Sequence, residues 1–111
     1  MKKLNNFNKY FDTYTGKLKT VLHSLDKQKI FQSAELLIKT IKTNNTIYVC
    51  GNGGSHAIAN HYVCDYFKVL SQETNLKVKI KSLCSDDSLI SAISNDFSYD
   101  DVFLYQAERL M

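Results

Sequence analysis

Residues 49–56 read Val49-Cys50-Gly51-Asn52-Gly53-Gly54-Ser55-His56, and they hold three of the four glycines of the chain. An apolar, β-prone run at 46–50 precedes this stretch, and a helix-competent run at 56–70 follows it. A strand, a glycine turn and a helix start in this order are typical of an anion pocket in an α/β protein. Glycine allows the backbone to approach a ligand closely, and the helix start offers unpaired N–H donors. The stretch therefore predicts that the protein binds a phosphorylated small molecule.

Two nucleotide-binding motifs are absent from this stretch. The P-loop pattern Gly-x-x-x-x-Gly-Lys-Ser/Thr does not occur, and the third glycine of the dinucleotide pattern Gly-x-Gly-x-x-Gly would fall at His56. A tight turn that binds nothing is the remaining alternative. Such a turn rarely needs three glycines in four residues, so we favour a ligand site of another kind.

Composition indicates one small globular domain, because the chain has 111 residues, of which 44% are hydrophobic. The net charge is +3, and the densest basic stretch, residues 77–81, alternates like a strand with one solvated face. Nucleic-acid surfaces are larger and more clustered, so we expect no direct nucleic-acid partner.

The sequence also indicates where the protein works. No apolar run approaches the ~20 residues that span a bilayer, and the start lacks the apolar region of a signal peptide. We therefore expect no membrane association. Three widely spaced cysteines (Cys50, Cys64 and Cys84) favour reduced thiols in the cytoplasm, and we predict that they are small buried hydrophobic residues.

Hydrophobic periodicity and turn signals predict the order α-α-β-α-β-α-α. The predicted elements are helices 3–25 and 27–43, strand 46–50, helix 55–70, strand 77–83, a helix to about residue 94 and helix 99–110. Asp26, Ser55 and the run Ser85-Asp86-Asp87 are predicted helix caps. Asn44-Asn45 should end the second helix, and residues 95–98 should form a turn.

Two strands joined by a crossover helix imply a parallel pair with a right-handed connection. A two-stranded parallel sheet is too small to stand alone, because parallel sheets need both faces covered. The chain also stops directly after a helix, where another strand should follow. We therefore expect an α/β fold, the N-terminal portion of a doubly wound parallel sheet. Residues 1–44 would be a helical oligomerisation segment, and residues 45–111 would hold the first strands and helices of the sheet domain.

The first predicted helix carries a heptad seam. Its apolar residues recur at alternating steps of three and four: Leu4, Phe7, Phe11, Tyr14, Leu18, Val21 and Leu25. The helix could lie on its own domain, but seven consecutive seam positions exceed what one small core needs. We favour a helix–helix contact between subunits, and hence a homo-oligomer.

A second group of candidate residues lies on the third predicted helix. His61 and Asp65 are four residues apart and share one face, a spacing that suits metal ligation or proton transfer. From periodicity alone, a solvated surface pair is the favoured interpretation. His56 is a weaker candidate, and Asn95-Asp96 by itself is ordinary turn chemistry.

Taken together, these motifs resemble a known family. Cys50 to His56, followed by His61 and an acidic residue at 65, resemble the sugar isomerase (SIS) domain and, within it, the sedoheptulose 7-phosphate isomerases, or phosphoheptose isomerases. The segment at 87–103 is similar to the family's stretch that ends in an Asn-Asp pair, an aromatic residue and Val/Ile-Phe. The resemblance covers essentially the whole chain.

The resemblance implies a flavodoxin-like, three-layer fold with a five-stranded parallel sheet, assembled as a tetramer through long N-terminal helices. It implies interconversion of a ketose phosphate and an aldose phosphate through an enediol. By resemblance, Asn52, Gly53 and Gly54 line the sugar and Ser55 helps to hold the phosphate. Asn95 and Asp96 contact the substrate, His61 is a zinc ligand, and Asp65 is both the catalytic acid/base and a metal ligand.

Two departures from the family pattern matter. Asp65 stands where the family has glutamate, so its carboxylate is set back by about 1 Å, and a misplacement of that size can cost on the order of 10²-fold in rate. The family's second half carries a Ser/Thr-rich phosphate loop and a helix with a Gln and a catalytic His, and residues 1–111 contain neither. The departures leave open a non-catalytic SIS protein, such as the partners of bacterial replication initiators, and a shortened copy without a stable fold.

Overall fold

The computed structural model of the chain describes residues 7–111, which divide into two compact units. The described part of the first unit is residues 7–34, and the second unit is residues 35–111. The elements are α1 Phe7–Ser24, α2 Lys27–Lys42, β1 Thr46–Val49, α3 Gly54–Asp65, a π-helical segment Tyr66–Leu70, α4 Ser71–Glu73, β2 Lys79–Ser82, α5 Asp87–Asp96, a 3₁₀ turn Tyr99–Asp101 and α6 Leu104–Leu110.

The first unit contains α1 and the start of α2. Asp26 caps α2 as predicted, because its Oδ1 accepts hydrogen bonds from the backbone N–H groups of Gln28 and Lys29 at 2.9 and 3.2 Å. None of the residues of α1 is buried. The described seam residues, from Phe7 to Leu25, are between 46% and 63% exposed, while Leu4 lies outside the described residues.

The second unit begins with the remainder of α2, which is followed by the first strand of the sheet. Asn44 ends α2 with φ of 60°, the left-handed conformation predicted for it. β1 and β2 form the predicted parallel pair, with Thr46 opposite Lys79 and Val49 opposite Ser82. A bond from Leu83 N to Val49 O at 2.9 Å extends the ladder by one step. The second unit is therefore a small α/β unit with a parallel sheet.

Three predicted boundaries were wrong. Gly53, not Ser55, is the N-cap of α3, because Ser55 N bonds to Asn52 O at 3.0 Å and draws Ser55 into the first turn. The helix predicted to end at residue 70 continues, through the π-helical segment and α4, to Glu73. Asn95 and Asp96 end α5 instead of forming a turn, because Phe97 N still bonds to Ile93 O at 3.0 Å and Ile93 is 2% exposed.

The other differences are smaller. Strand β2 begins at Lys79 instead of residue 77, and the last predicted helix is divided into the 3₁₀ turn and α6. Asp86 caps α5, since its Oδ1 accepts from Leu89 N at 2.9 Å, which confirms one member of the predicted capping run.

A compact core holds the ends of the two strands against the helices. Its buried apolar residues are Ile41, Ala59, Leu83, Cys84, Ile93 and Val102. Gln106 is buried with them at 7% exposure, and its Nε2 donates to Leu83 O at 3.0 Å and to Val102 O at 2.9 Å. These bonds satisfy a buried amide that would otherwise destabilise the core. Within residues 7–111, no helix combines the length and the apolarity needed to cross a membrane.

Candidate functional site

The glycine loop, residues 50–53, joins the carboxyl end of β1 to the N-terminus of α3. Gly53 has φ of 55° and ψ of −123°, a backbone conformation that L side chains rarely adopt. At Gly51, a Cβ atom would lie 2.6 Å from the carbonyl oxygen of Ser55. Glycine is therefore required at residue 51 by close approach and at residue 53 by conformation. Gly54 is different, since a Cβ there would meet nothing within 4 Å.

The loop leaves backbone donors available at the start of α3. Ser55 N and His56 N bond to the carbonyl oxygens of Asn52 and Gly53 at 3.0 and 3.1 Å. Among residues 7–111, no acceptor is found for the backbone N–H groups of Asn52, Gly53 and Gly54. Free N–H groups at a helix N-terminus, with the positive end of the helix dipole, suit an anion.

A buried thiol fixes the start of the loop. Cys84, which is 1% exposed, accepts a hydrogen bond at Sγ from Gly51 N and donates one to Gly51 O, both at 3.3 Å. Asn60 of α3 donates from Nδ2 to Cys84 O at 3.3 Å, and its buried Oδ1 has no donor among the described residues. The loop, β2 and α3 are thus tied together at Cys84.

All three cysteines are free thiols, but the predicted burial was correct for Cys84 alone, since Cys50 and Cys64 are exposed. Cys50 follows the last residue of β1, and Cys64 lies on an exposed face of α3.

A tyrosine from a distant segment reaches the loop. The hydroxyl of Tyr99 donates to Oδ1 of Asn52 at 2.9 Å, so the 3₁₀ turn after α5 contacts the predicted substrate-binding loop. Sequence reasoning missed Tyr99, Asn60 and the hydrogen-bonding role of Cys84. The partners are 24 to 47 residues apart, and no local pattern marks such pairs.

His61 and Asp65 face each other on α3, as their spacing predicted. Nε2 of His61 is 3.4 Å from Oδ1 of Asp65, and their side chains are 75% and 56% exposed. The described residues contain no group of three or more His, Cys, Asp or Glu side chains arranged to hold a metal ion. The pair therefore offers two donors of the kinds that zinc accepts, out of the four positions of a zinc site.

The helix changes pitch immediately after Asp65, at the π-helical segment. Tyr66, its first residue, stacks on Tyr62 with ring centroids 5.2 Å apart. Partial burial, and secondarily the neighbouring Tyr62, raise the pKa of Tyr66 above its ordinary value of 10.0. Tyr66 therefore stays neutral at physiological pH and adds no charge beside the His61–Asp65 pair.

The remaining predicted site residues lie at the surface. Nδ2 of Asn95 donates to Oδ1 of Asp96 at 2.9 Å, at the end of α5. No hydrogen bond in the described part of the chain joins either residue to the glycine loop. His56 instead makes a contact that was not predicted, with Nε2 3.5 Å from Oδ1 of Asp87 at the start of α5. That contact links the first turns of two helices that follow adjacent strands.

The chain is similar to one family of known proteins. Residues 9–110 match the SIS domain family. A phosphoheptose isomerase of Helicobacter pylori (strain P12) is 37% identical over 102 residues, which are 92% of this chain and 52% of the relative. A phosphoheptose isomerase of Campylobacter jejuni is 37% identical over 84 residues, which are 76% of this chain and 45% of the relative.

The fold of the chain is similar to that of a solved structure with the same name as these relatives. Phosphoheptose isomerase GmhA from Neisseria gonorrhoeae superposes with a TM-score of 0.72 at 28% identity, covering 92% of this chain and 51% of that one. The chain thus spans about half the length of the relatives that it matches.

Proposed function

The chain belongs to the SIS domain family, and from that premise we propose that it forms part of a phosphosugar isomerase of the phosphoheptose isomerase type. The reaction would interconvert sedoheptulose 7-phosphate with an aldose heptose phosphate, a step of heptose biosynthesis. The observation that carries the proposal is the 37% identity to a phosphoheptose isomerase over 92% of the chain. The reduced cysteines predicted above support a cytoplasmic location.

The glycine loop supports the substrate part of the proposal. The N–H groups of Asn52, Gly53 and Gly54 would donate to oxygens of the sugar phosphate at the positive end of α3. The hydroxyl of Ser55, in the first turn of α3, would add a donor for the phosphate. Asn95 and Asp96 would contact the substrate from the end of α5.

The His61–Asp65 pair supports the proposed isomerisation chemistry. Isomerisation removes a proton from the carbon beside the carbonyl and returns one to the carbonyl carbon, while a hydroxyl proton passes between the two oxygens, so it needs a group that accepts and then donates a proton at carbon. The carboxylate of Asp65 is suited to that role, with His61 at 3.4 Å to orient it. The carboxylate is set back by one methylene relative to glutamate, which predicts slow turnover.

We further propose zinc as the metal of this site. The imidazole of His61 and the carboxylate of Asp65 fit zinc in donor type, and they would hold it together with ligands from outside the described residues. A bound zinc ion would polarise the oxygens of the sugar at C1 and C2. The pair's exposure to solvent leaves room for those additional ligands.

Assembly would use the N-terminal helices. The exposed apolar residues of α1 support a homo-oligomer, and by resemblance a tetramer, in which the seam is covered by other copies. β1 and β2 would belong to a larger, doubly wound, five-stranded sheet in three layers. A non-catalytic SIS protein is the second candidate, favoured by the shorter side chain of Asp65.

An isomerase assay tests the proposal. The protein, expressed as its gene encodes it, would be incubated with sedoheptulose 7-phosphate before and after loading with Zn²⁺. We expect zinc-dependent formation of the aldose phosphate, with at least tenfold weaker zinc binding in His61→Ala and unchanged binding in His23→Ala, whose histidine lies on α1. Binding of the sugar phosphate without any turnover would favour the non-catalytic candidate.

A further inference from the structure

The hydrogen bond between Tyr99 and Asn52 points to a role for a residue to which the sequence motifs assign none. We propose that Tyr99 is a positioning residue that fixes the Asn52 side chain, so that its amide group presents N–H donors to an oxygen of the bound sugar phosphate. The inference rests on the proposed function, because it takes the glycine loop to be the ligand site. Its structural basis is the 2.9 Å bond from the Tyr99 hydroxyl to Oδ1 of Asn52.

Burial does not explain the presence of a tyrosine at this position. Tyr99 is 56% exposed, so its ring contributes little to the apolar core. Its hydroxyl nevertheless bridges segments 47 residues apart in sequence, from the turn after α5 to the loop after β1. The hydroxyl is therefore the part of the side chain that joins the turn to the loop.

The turn that carries Tyr99 is itself held in place. Oγ of Ser98 donates to Oδ2 of Asp101 at 2.7 Å, and Val102 N bonds to Tyr99 O at 3.3 Å. Val102 is 2% exposed and anchors this turn in the core. The Tyr99 hydroxyl thus contacts the loop from a turn that is held by its own hydrogen bonds and by the buried Val102.

The bond also determines which groups of Asn52 remain available. Oδ1 accepts from Tyr99, and the backbone carbonyl accepts from Ser55 N at 3.0 Å, so both oxygens have partners. No acceptor is found for Nδ2 within residues 7–111. Asn52 therefore presents two side-chain N–H donors, which match an acceptor such as a phosphate or sugar oxygen.

The first test needs no ligand and measures the loop directly. Tyr99→Phe removes only the hydroxyl, and Asn52→Ala removes its acceptor. Tyr48→Phe is the matched control, because its hydroxyl makes a bond of 2.8 Å to Leu110 O instead of to the loop. By hydrogen–deuterium exchange of the full-length protein, we expect roughly threefold or greater acceleration at the hydrogen-bonded amides of Gly51 and Ser55 in the first two variants and none in the control. Unchanged exchange in Tyr99→Phe would overturn the inference.

The second test distinguishes positioning from a general structural effect. We expect Tyr99→Phe to raise KM for sedoheptulose 7-phosphate by roughly 3- to 10-fold with kcat nearly unchanged, and to have almost no further effect when Asn52 is already alanine. An equal effect in both backgrounds would contradict positioning through Asn52. If the unsubstituted protein neither binds nor converts the substrate, the proposed function fails, whereas the exchange measurement still decides the role of Tyr99.

Discussion

The glycine loop and the His61–Asp65 pair both carry predicted site residues, but they differ in how firmly the described residues hold them. The loop is fixed by Cys84 at Gly51 and by Tyr99 at Asn52. The pair lies on a solvated helix face, where each side chain is more than half exposed and, among residues 7–111, has only the other member of the pair within ion-pair distance. Under the proposed function, the loop would set the binding geometry with contacts made inside the described residues, whereas His61 and Asp65 would need additional ligands to hold a metal ion.

The largest expected effect is at the loop. Gly51→Ala would place Cβ 2.6 Å from Ser55 O, so loop or helix must shift. We expect a loss of about 3 kcal/mol in the free energy of unfolding and a fall in Tm of at least ~10 °C, measured by circular dichroism. Gly54→Ala is the matched control, because its Cβ meets nothing within 4 Å and alanine is the better helix former. Equal losses in both variants would show that the loop is not closely fitted.

A second, smaller effect is expected at the His61–Asp65 pair. Asp65→Glu moves the carboxylate forward by about 1 Å, and we expect kcat for sedoheptulose 7-phosphate to rise on the order of 10- to 100-fold. Asp12→Glu, at an exposed position on α1, makes the same chemical change and should leave kcat unaltered. A lower kcat in Asp65→Glu would mean that the site is built around the shorter side chain.

A smaller effect is expected where the thiol holds the loop. Cys84→Ala removes both bonds to Gly51 and leaves a small void, which should lower the free energy of unfolding by about 1–2 kcal/mol. Chemical denaturation would measure the loss. Cys64→Ala serves as the control, since Cys64 is exposed, and we expect a change within about 0.5 kcal/mol there. A loss at Cys64 as large as that at Cys84 would contradict the assigned role of the thiol.

Local chemistry explains which features the sequence could predict. The cap at Asp26, the left-handed Asn44 and the shared face of His61 and Asp65 depend on residues within four positions of one another. The parallel pairing of β1 and β2 followed from the helix that connects them. These features need no knowledge of distant contacts, so pattern and propensity were sufficient.

The features that the sequence predicted wrongly or missed depend on contacts between residues distant in sequence or on the path of the chain. Ser55 is a good N-cap by residue type, but the backbone turns at Gly53, whose φ is 55°, and the helix begins at Gly54. Asn95 and Asp96 favour a turn locally, but the anchored Ile93 keeps them helical. The contacts of Tyr99 and Cys84 with the loop join residues 47 and 33 positions apart, and only the packed fold brings them together.

The proposed function requires the backbone amides at the start of α3 to hold a sugar phosphate. The most direct measurement is a titration of the ¹⁵N-labelled protein with sedoheptulose 7-phosphate, followed by amide chemical shifts, with unphosphorylated sedoheptulose as the control ligand. We predict saturable shifts that are largest at Asn52, Gly53 and Gly54 and much weaker without the phosphate. Saturable binding that leaves these three amides unchanged, or no binding at millimolar ligand, would rule out this loop as the phosphate site.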